Sequence, residues 1–100
     1  DNWAEWCAAC KELDLTTFRD KELISEINQN WVAFKKDLTE ETTNNELYQQ
    51  MYDIQGLPTI ILMSSDADIS TKKNITGMIQ AKDLLNHMQD FKHSLVKDNQ

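Results

Sequence analysis

Two cysteines separated by two alanines, Cys7-Ala8-Ala9-Cys10, run directly into Lys11-Glu12-Leu13-Asp14-Leu15, a stretch that favours helix and contains no breaker. This junction puts Cys7 at a helix start. There the unpaired backbone N–H groups and the helix dipole favour an anion, so a thiolate forms more easily on Cys7 than on a free cysteine. Cys10 follows one turn later on the same face. A sulfur pair so placed can close into a disulfide and reopen, which is the chemistry of dithiol exchange.

Two other readings of the pair compete. A C-x-x-C supplies two of the four ligands of a tetrahedral zinc site, but the second half is missing: the only histidines, His87 and His93, are six apart on an expected helix and share no face. A purely structural disulfide here would close a very short loop and restrain the unfolded chain little.

At 100 residues the chain is expected to form one domain able to bury a modest core, so the cysteines are not needed as staples. The net charge is −7, and no run of Lys and Arg is longer than a pair, which argues against nucleic acid or an anionic membrane surface as a partner. No apolar run reaches bilayer length, and the N-terminal residues show no positive region followed by an apolar one. Nor is there a glycine-rich phosphate loop, so neither flavin nor nicotinamide is implied; no cofactor or metal is expected beyond the cysteine pair itself.

Along the chain, the first helix spans Cys7 to about Leu15, Thr16-Thr17 ends it, and Phe18 folds back onto the core. Asp20 caps a short helix through about Asn28 with Leu23, Ile24 and Ile27 inward, and Asn28-Gln29-Asn30 forms a polar turn. Trp31-Val32-Ala33-Phe34 is a continuous apolar run, read as a buried strand extending to about Asp37. Thr42 or Thr43 caps a helix that turns Leu47, Met51 and Ile54 to the core beside Tyr48. Gln55-Gly56-Leu57-Pro58 breaks it, and Thr59 to Met63 is a second buried strand. Ser64 to Asp68 reads as a hairpin turn and Ile69 to Ile75 as an edge strand, with Lys72-Lys73 discouraging further pairing. Gly77 marks a bulge or turn. A final amphipathic helix from about Ala81 to Leu95 carries Leu84, Met88, Phe91 and Leu95 on one stripe. The domain is expected over 1–96, with 97–100 a frayed tail.

The segment Asp1-Asn2-Trp3-Ala4-Glu5-Trp6-Cys7-Ala8-Ala9-Cys10-Lys11 resembles the active-site segment of thioredoxins, including a Trp before the first Cys and an acid six residues ahead of it. Gly56-Leu57-Pro58-Thr59 resembles the same superfamily's cis-proline loop, and it holds the chain's one proline. Within the superfamily, these stretches together with Thr17-Phe18-Arg19-Asp20, Ile60 and Thr76-Gly77 are similar to the C-terminal periplasmic domains of the DsbD family of bacterial thiol:disulfide interchange proteins.

The resemblance implies a thioredoxin-like three-layer α/β/α fold with a mixed sheet. The N-terminal strand-helix-strand portion is expected to be largely missing, with the central strand near Asp1 essentially absent and supplied by residues upstream. It also implies roles. Cys7 is the nucleophile and Cys10 the resolving cysteine. Asp1 is the buried acid that exchanges a proton with Cys10, unless it is merely a solvated terminus, and Asp14 is a second acid near the site. Trp6, Leu57 and Pro58 form the substrate-contact surface, whereas Trp3 and Trp31 belong to the core and Glu5 and Glu12 to the solvated surface. The implied partners are a membrane dithiol donor and a periplasmic thiol acceptor, met by a monomeric domain on the periplasmic side of the inner membrane. Negative charge near Cys7 opposes the helix dipole and makes the thiolate less stable, so the domain is expected to be a reductant. A free-standing reductase or oxidase, or a binding module with a structural disulfide, are the other functions compatible with the residues.

Overall fold

The computed structural model describes residues 1–65 and 71–98. In chain order the elements are β1 (Asn2–Trp3), α1 (Ala8–Leu15), a 3-10 turn (Thr17–Arg19), α2 (Lys21–Asn30), β2 (Lys36–Asp37), α3 (Thr43–Met51), β3 (Thr59–Leu62), β4 (Lys73–Thr76) and α4 (Ala81–Asp98). The strands form one mixed sheet in the order β2-β1-β3-β4. Asn2 is its hub, in register with Lys36 of the parallel β2 and with Thr59 of the antiparallel β3. β4 extends the sheet antiparallel to β3, from Thr59 opposite Thr76 to Leu62 opposite Lys73.

The central strand, expected to be essentially absent, is therefore present as β1. It is short, yet backbone bonds from Lys36 N to Asp1 O (2.8 Å) and from Leu38 N to Trp3 O (2.7 Å) tie it to β2 on one side. On the other side the Asn2 amide donates to Thr59 O at 2.8 Å. This fixes where the chain enters α1.

Capping sets the helix starts. The Cys7 sulfur accepts from Cys10 N at 3.1 Å, the Asp20 carboxylate from Leu23 N at 3.0 Å, and the Thr42 hydroxyl from Asn45 N at 3.1 Å, each satisfying an otherwise unpaired N–H of the first turn. α1 stops at Thr16, whose hydroxyl bonds back to Glu12 O. One core joins α1, α2, β3 and α4, through Leu13, Leu23, Ile60, Leu62, Leu84, Met88 and Phe91, with Phe18, Trp31 and Leu95 packed against it. Complete burial of a leucine contributes roughly 1.5–3 kcal/mol. Leu13 is completely buried, so the helix that carries both cysteines is anchored to the core three residues past Cys10.

Several expectations need correction. α2 does not end at Asn28 but continues through Asn30, because the Glu26 and Ser25 side chains bond to Asn30 and Gln29 along its surface. Ile24 flanks the Leu23–Ile27 stripe and is exposed. The apolar run at Trp31 is extended but not a buried strand. Ladder pairing begins only at Lys36, and Val32 and Phe34 are 80% and 77% exposed along the wall of an open trench that nothing among the described residues covers. α3 buries no residue at all: Leu47 and Met51 point to solvent, and of the four expected contacts only Ile54, beyond the helix, is buried.

The expected strand over 69–75 is β4 from Lys73 to Thr76, while the part of that strand and of the preceding turn at 66–70 lies outside the described residues. Lys72 does not hang off the edge; it pairs with Asp53 at 3.1 Å and donates to Asn74 Oδ1. The last helix continues to Asp98, past the expected start of the tail, with 99 and 100 outside the described residues. Among the described residues no helix is long and apolar enough to cross a membrane.

Candidate functional site

Cys7 and Cys10 are joined in a disulfide with their Cα atoms 5.3 Å apart, Cys7 as the N-cap of α1 and Cys10 in its first turn. Both are buried to within a few per cent. They form a small apolar cluster with Ala4, against which Trp3, Ala9 and Leu57 pack. Trp6, immediately before Cys7, is 68% exposed and so presents its indole to solvent rather than to the core.

Leu57, far from the cysteines in sequence, packs against their cluster, with Pro58 next to it. The Leu57–Pro58 bond is cis, Pro58 is buried, and Leu57 is half-buried against the cysteine cluster. Two bonds to the backbone hold this loop between β1 and the end of β4: the Asn2 amide donates to Thr59 O, and Gly77 N donates to Pro58 O at 2.8 Å. Gly77 has φ +96°, a conformation that L side chains rarely adopt, so glycine serves this turn. The Thr59 hydroxyl donates to Gly56 O at 2.6 Å and closes the turn from inside.

Two acids share one lysine. Asp1 is not a solvated terminus: its side chain is only 11% exposed, its backbone nitrogen donates to Phe34 O, and its Oδ1 is buried without a hydrogen-bond partner. Asp14, one turn after Cys10 on α1, is more open. Lys35 joins the two. Its ammonium donates to both Asp14 carboxylate oxygens at 2.9 Å, lies 3.8 Å from Asp1 Oδ2, and sits 5.8 Å from the centre of the Trp3 ring. Glu5 and Glu12 are exposed, and Glu5 pairs with Lys11 at 3.5 Å.

Of the residues singled out in the sequence, Cys7 and Cys10 are bonded and Leu57 packs against them, Trp6 and Pro58 adjoin Cys7 and Leu57 in the chain, and Asp1 and Asp14 share the Lys35 ammonium. Lys35 escaped the sequence reading, as did the half-buried placement of Trp3 between that ammonium and the cysteine cluster. No local signal marks Lys35; only the register of β1 with β2 brings it to acids 34 and 21 residues away. Among the described residues no three His, Cys, Asp or Glu side chains converge as a metal site requires.

Comparison with known proteins agrees with this geometry. A family model described as a thioredoxin-like domain matches residues 2–92. Among curated proteins, the thiol:disulfide interchange protein DsbD of Pseudoalteromonas atlantica is 33% identical over 91 residues, 91% of this chain and 15% of that protein. DsbD of Vibrio vulnificus is 32% identical over 89 residues, again 15% of its length. The chain therefore spans about 15% of the length of the curated relatives it matches. Among solved structures, the oxidised C-terminal domain of Neisseria meningitidis DsbD superposes with a TM-score of 0.77 at 22% identity, covering 90% of this chain and 75% of that one. Its reduced form gives the same TM-score at 21% identity. With its mixed four-stranded sheet and a disulfide capping the first helix, the chain belongs to the thioredoxin-like domain family.

Proposed function

We propose that this chain is a protein-disulfide reductase domain, which takes reducing equivalents from a dithiol in a membrane domain and passes them to a thiol domain or protein on the periplasmic side of the bacterial inner membrane. The observation that carries this reading is the Cys7–Cys10 disulfide at the capped start of α1, beside exposed Trp6. The similarity to proteins named for thiol:disulfide interchange supports the assignment of partners.

In the reduced domain the Cys7 thiolate attacks one sulfur of the partner's disulfide. That S–S bond breaks, and the partner's other sulfur leaves as a thiolate that takes a proton from water. Cys10 then gives its proton to Asp1 Oδ1 and attacks the Cys7 sulfur of the mixed disulfide. The Cys7–Cys10 bond forms and the second partner sulfur leaves with its electron pair. Two electrons have passed to the partner, and a donor dithiol restores the starting state by the same exchange in reverse. Trp6 and Leu57 supply apolar contact to the partner, and the Leu57 backbone beside β3 offers pairing to a partner strand. Asp14 adds negative charge that disfavours a persistent Cys7 thiolate, as a donor requires.

The test is the equilibrium reduction potential of Cys7–Cys10 against thioredoxin or glutathione. A value near thioredoxin's, about −270 mV, is expected; one near the strong oxidant value of about −120 mV would reverse the direction of electron flow.

A further inference from the structure

Resting on that exchange chemistry, we infer that Thr39 is a positioning residue of the reaction: its hydroxyl pins the turn that presents Trp6 to a partner, and so governs exchange with protein disulfides but not with small ones. Between β1 and α1 the chain makes one tight turn from Ala4 to Cys7, closed by Cys7 N donating to Ala4 O at 3.1 Å. Ala4 and Cys7 at its ends are buried, whereas Glu5 and Trp6 at its tip are exposed. The tip is tied to the end of β2, where Glu5 N donates to the Thr39 hydroxyl at 2.8 Å.

The order of the bonds explains why a hydroxyl stands there. Pairing of β1 with β2 closes with Leu38 N donating to Trp3 O at 2.7 Å. Beyond it the two chains diverge, and the Thr39 side chain takes Glu5 N in place of the backbone carbonyl that would have carried the ladder on. The hydroxyl is itself oriented. Its proton goes to Asp37 Oδ1, which also accepts Thr39 N at 2.9 Å, and these two bonds hold the Asp37 carboxyl below its ordinary value. With the proton committed to Asp37, a lone pair faces Glu5 N. The Glu5–Lys11 ion pair is no substitute: at 3.5 Å between two mostly exposed side chains it contributes little. Trp6 follows Glu5 directly, so a turn released from Thr39 swings the indole about its buried ends, while Cys7 stays in the N-cap of α1. Sulfur chemistry depends on that cap, and contact with a protein depends on where the indole stands.

The experiment follows single-turnover oxidation of the reduced chain by insulin and by hydroxyethyl disulfide, quenched by alkylation and read by mass spectrometry. Thr39→Val lowers the rate with insulin by about fivefold, the worth of one hydrogen bond, and leaves the rate with the small disulfide unchanged. Thr39→Ser, which keeps the hydroxyl, stays near wild type with both. In a Trp6→Ala chain, Thr39→Val slows insulin no further, because the two residues act through one contact. A residue that only braces the fold would slow both disulfides and add to Trp6→Ala. Wild-type rates with insulin for Thr39→Val, equal losses with the two disulfides, or additivity with Trp6→Ala overturn the inference. If Thr39→Val fails to fold, Asp37→Ala decides: it frees the hydroxyl to turn, so a loss with insulin alone supports the inference and no loss refutes it. A wild-type chain that reacts with neither disulfide would sink the proposed function. The pin is then read from the fluorine NMR spectrum of the fluorotryptophan-labelled chain: a Trp6 signal that moves in Thr39→Val and not in Thr39→Ser supports it, and an unmoved signal refutes it.

Discussion

Glu26→Gln changes one atom in size and one unit in charge at the joint between α2 and α4. The Glu26 side chain, 12% exposed, accepts from Trp31 Nε1 at 2.8 Å and Lys92 Nζ at 2.8 Å on one oxygen. Its other oxygen takes Asn30 Nδ2 at 3.2 Å and Gln89 Nε2 at 3.3 Å. A glutamine can offer only one acceptor oxygen, so its amide must face two donors whichever way it turns. Losing two bonds at about 1 kcal/mol each, with little added for Lys92 because that ammonium is one-third exposed, gives a loss of about 2 kcal/mol at neutral pH. For a domain of this size that lowers the melting midpoint by about 10 °C.

The pH dependence sharpens the test. The Lys92 hydrogen bond holds the Glu26 carboxyl below its ordinary value, against desolvation that raises it, with Trp31, the Lys92 charge and Asn30 lowering it further. The unfolded chain therefore binds this proton at higher pH than the folded one. Stability from Glu26 is complete above its unfolded pKa of about 4.3 and is lost as pH falls through the lower folded value. Urea unfolding followed by circular dichroism, with the disulfide intact, should show the wild-type advantage in full at pH 7 and 5 and diminished by pH 3. An advantage below about 0.5 kcal/mol at pH 7, or one unchanged down to pH 3, would refute the reasoning.

Two further outcomes are expected. Cys7→Ser abolishes disulfide exchange, whereas Cys10→Ser still attacks and accumulates a mixed disulfide visible on non-reducing gels; turnover by Cys7→Ser would remove the nucleophile assignment. Leu13→Ala, which empties a completely buried site in the helix carrying the cysteines, costs about 3–5 kcal/mol in denaturant unfolding, and a loss under 1 kcal/mol would mean that the cavity collapses freely.

What the sequence made legible was chemistry fixed by close neighbours. The Asp20 cap, the Cys7 helix start and the Leu57-Pro58 loop each follow from a handful of adjacent residues, and the α4 stripe of Leu84, Met88 and Phe91 follows from helical spacing. Burial was not legible where it depended on a distant surface. Val32 and Phe34 have the residue types of a covered strand, and Leu47 and Met51 have the spacing of a packed helix face, yet each is left mostly exposed. Asp1 shows the converse: a charged residue at a chain end reads as solvated, and only its pairing with residues more than thirty positions away buries it. Lys35 was invisible for the same reason, since its meaning lies in the sheet register rather than in its flanks.

The way α3 is held gives the domain two unequal rates of breathing. Its ties to the rest of the domain include the Lys36 ammonium over Tyr48 and the Asn74 amide on Tyr52 O at its C-cap, neither of them a buried apolar contact. Amides of such an element exchange with solvent through local opening, at a fraction of the free energy needed to unfold the core. α1, by contrast, opens only with Leu13 and the core around it. Deuterium would therefore enter the connector between β2 and β3 long before it reached the turn that carries the sulfurs. Sequence can drift in α3 at little cost to the redox centre.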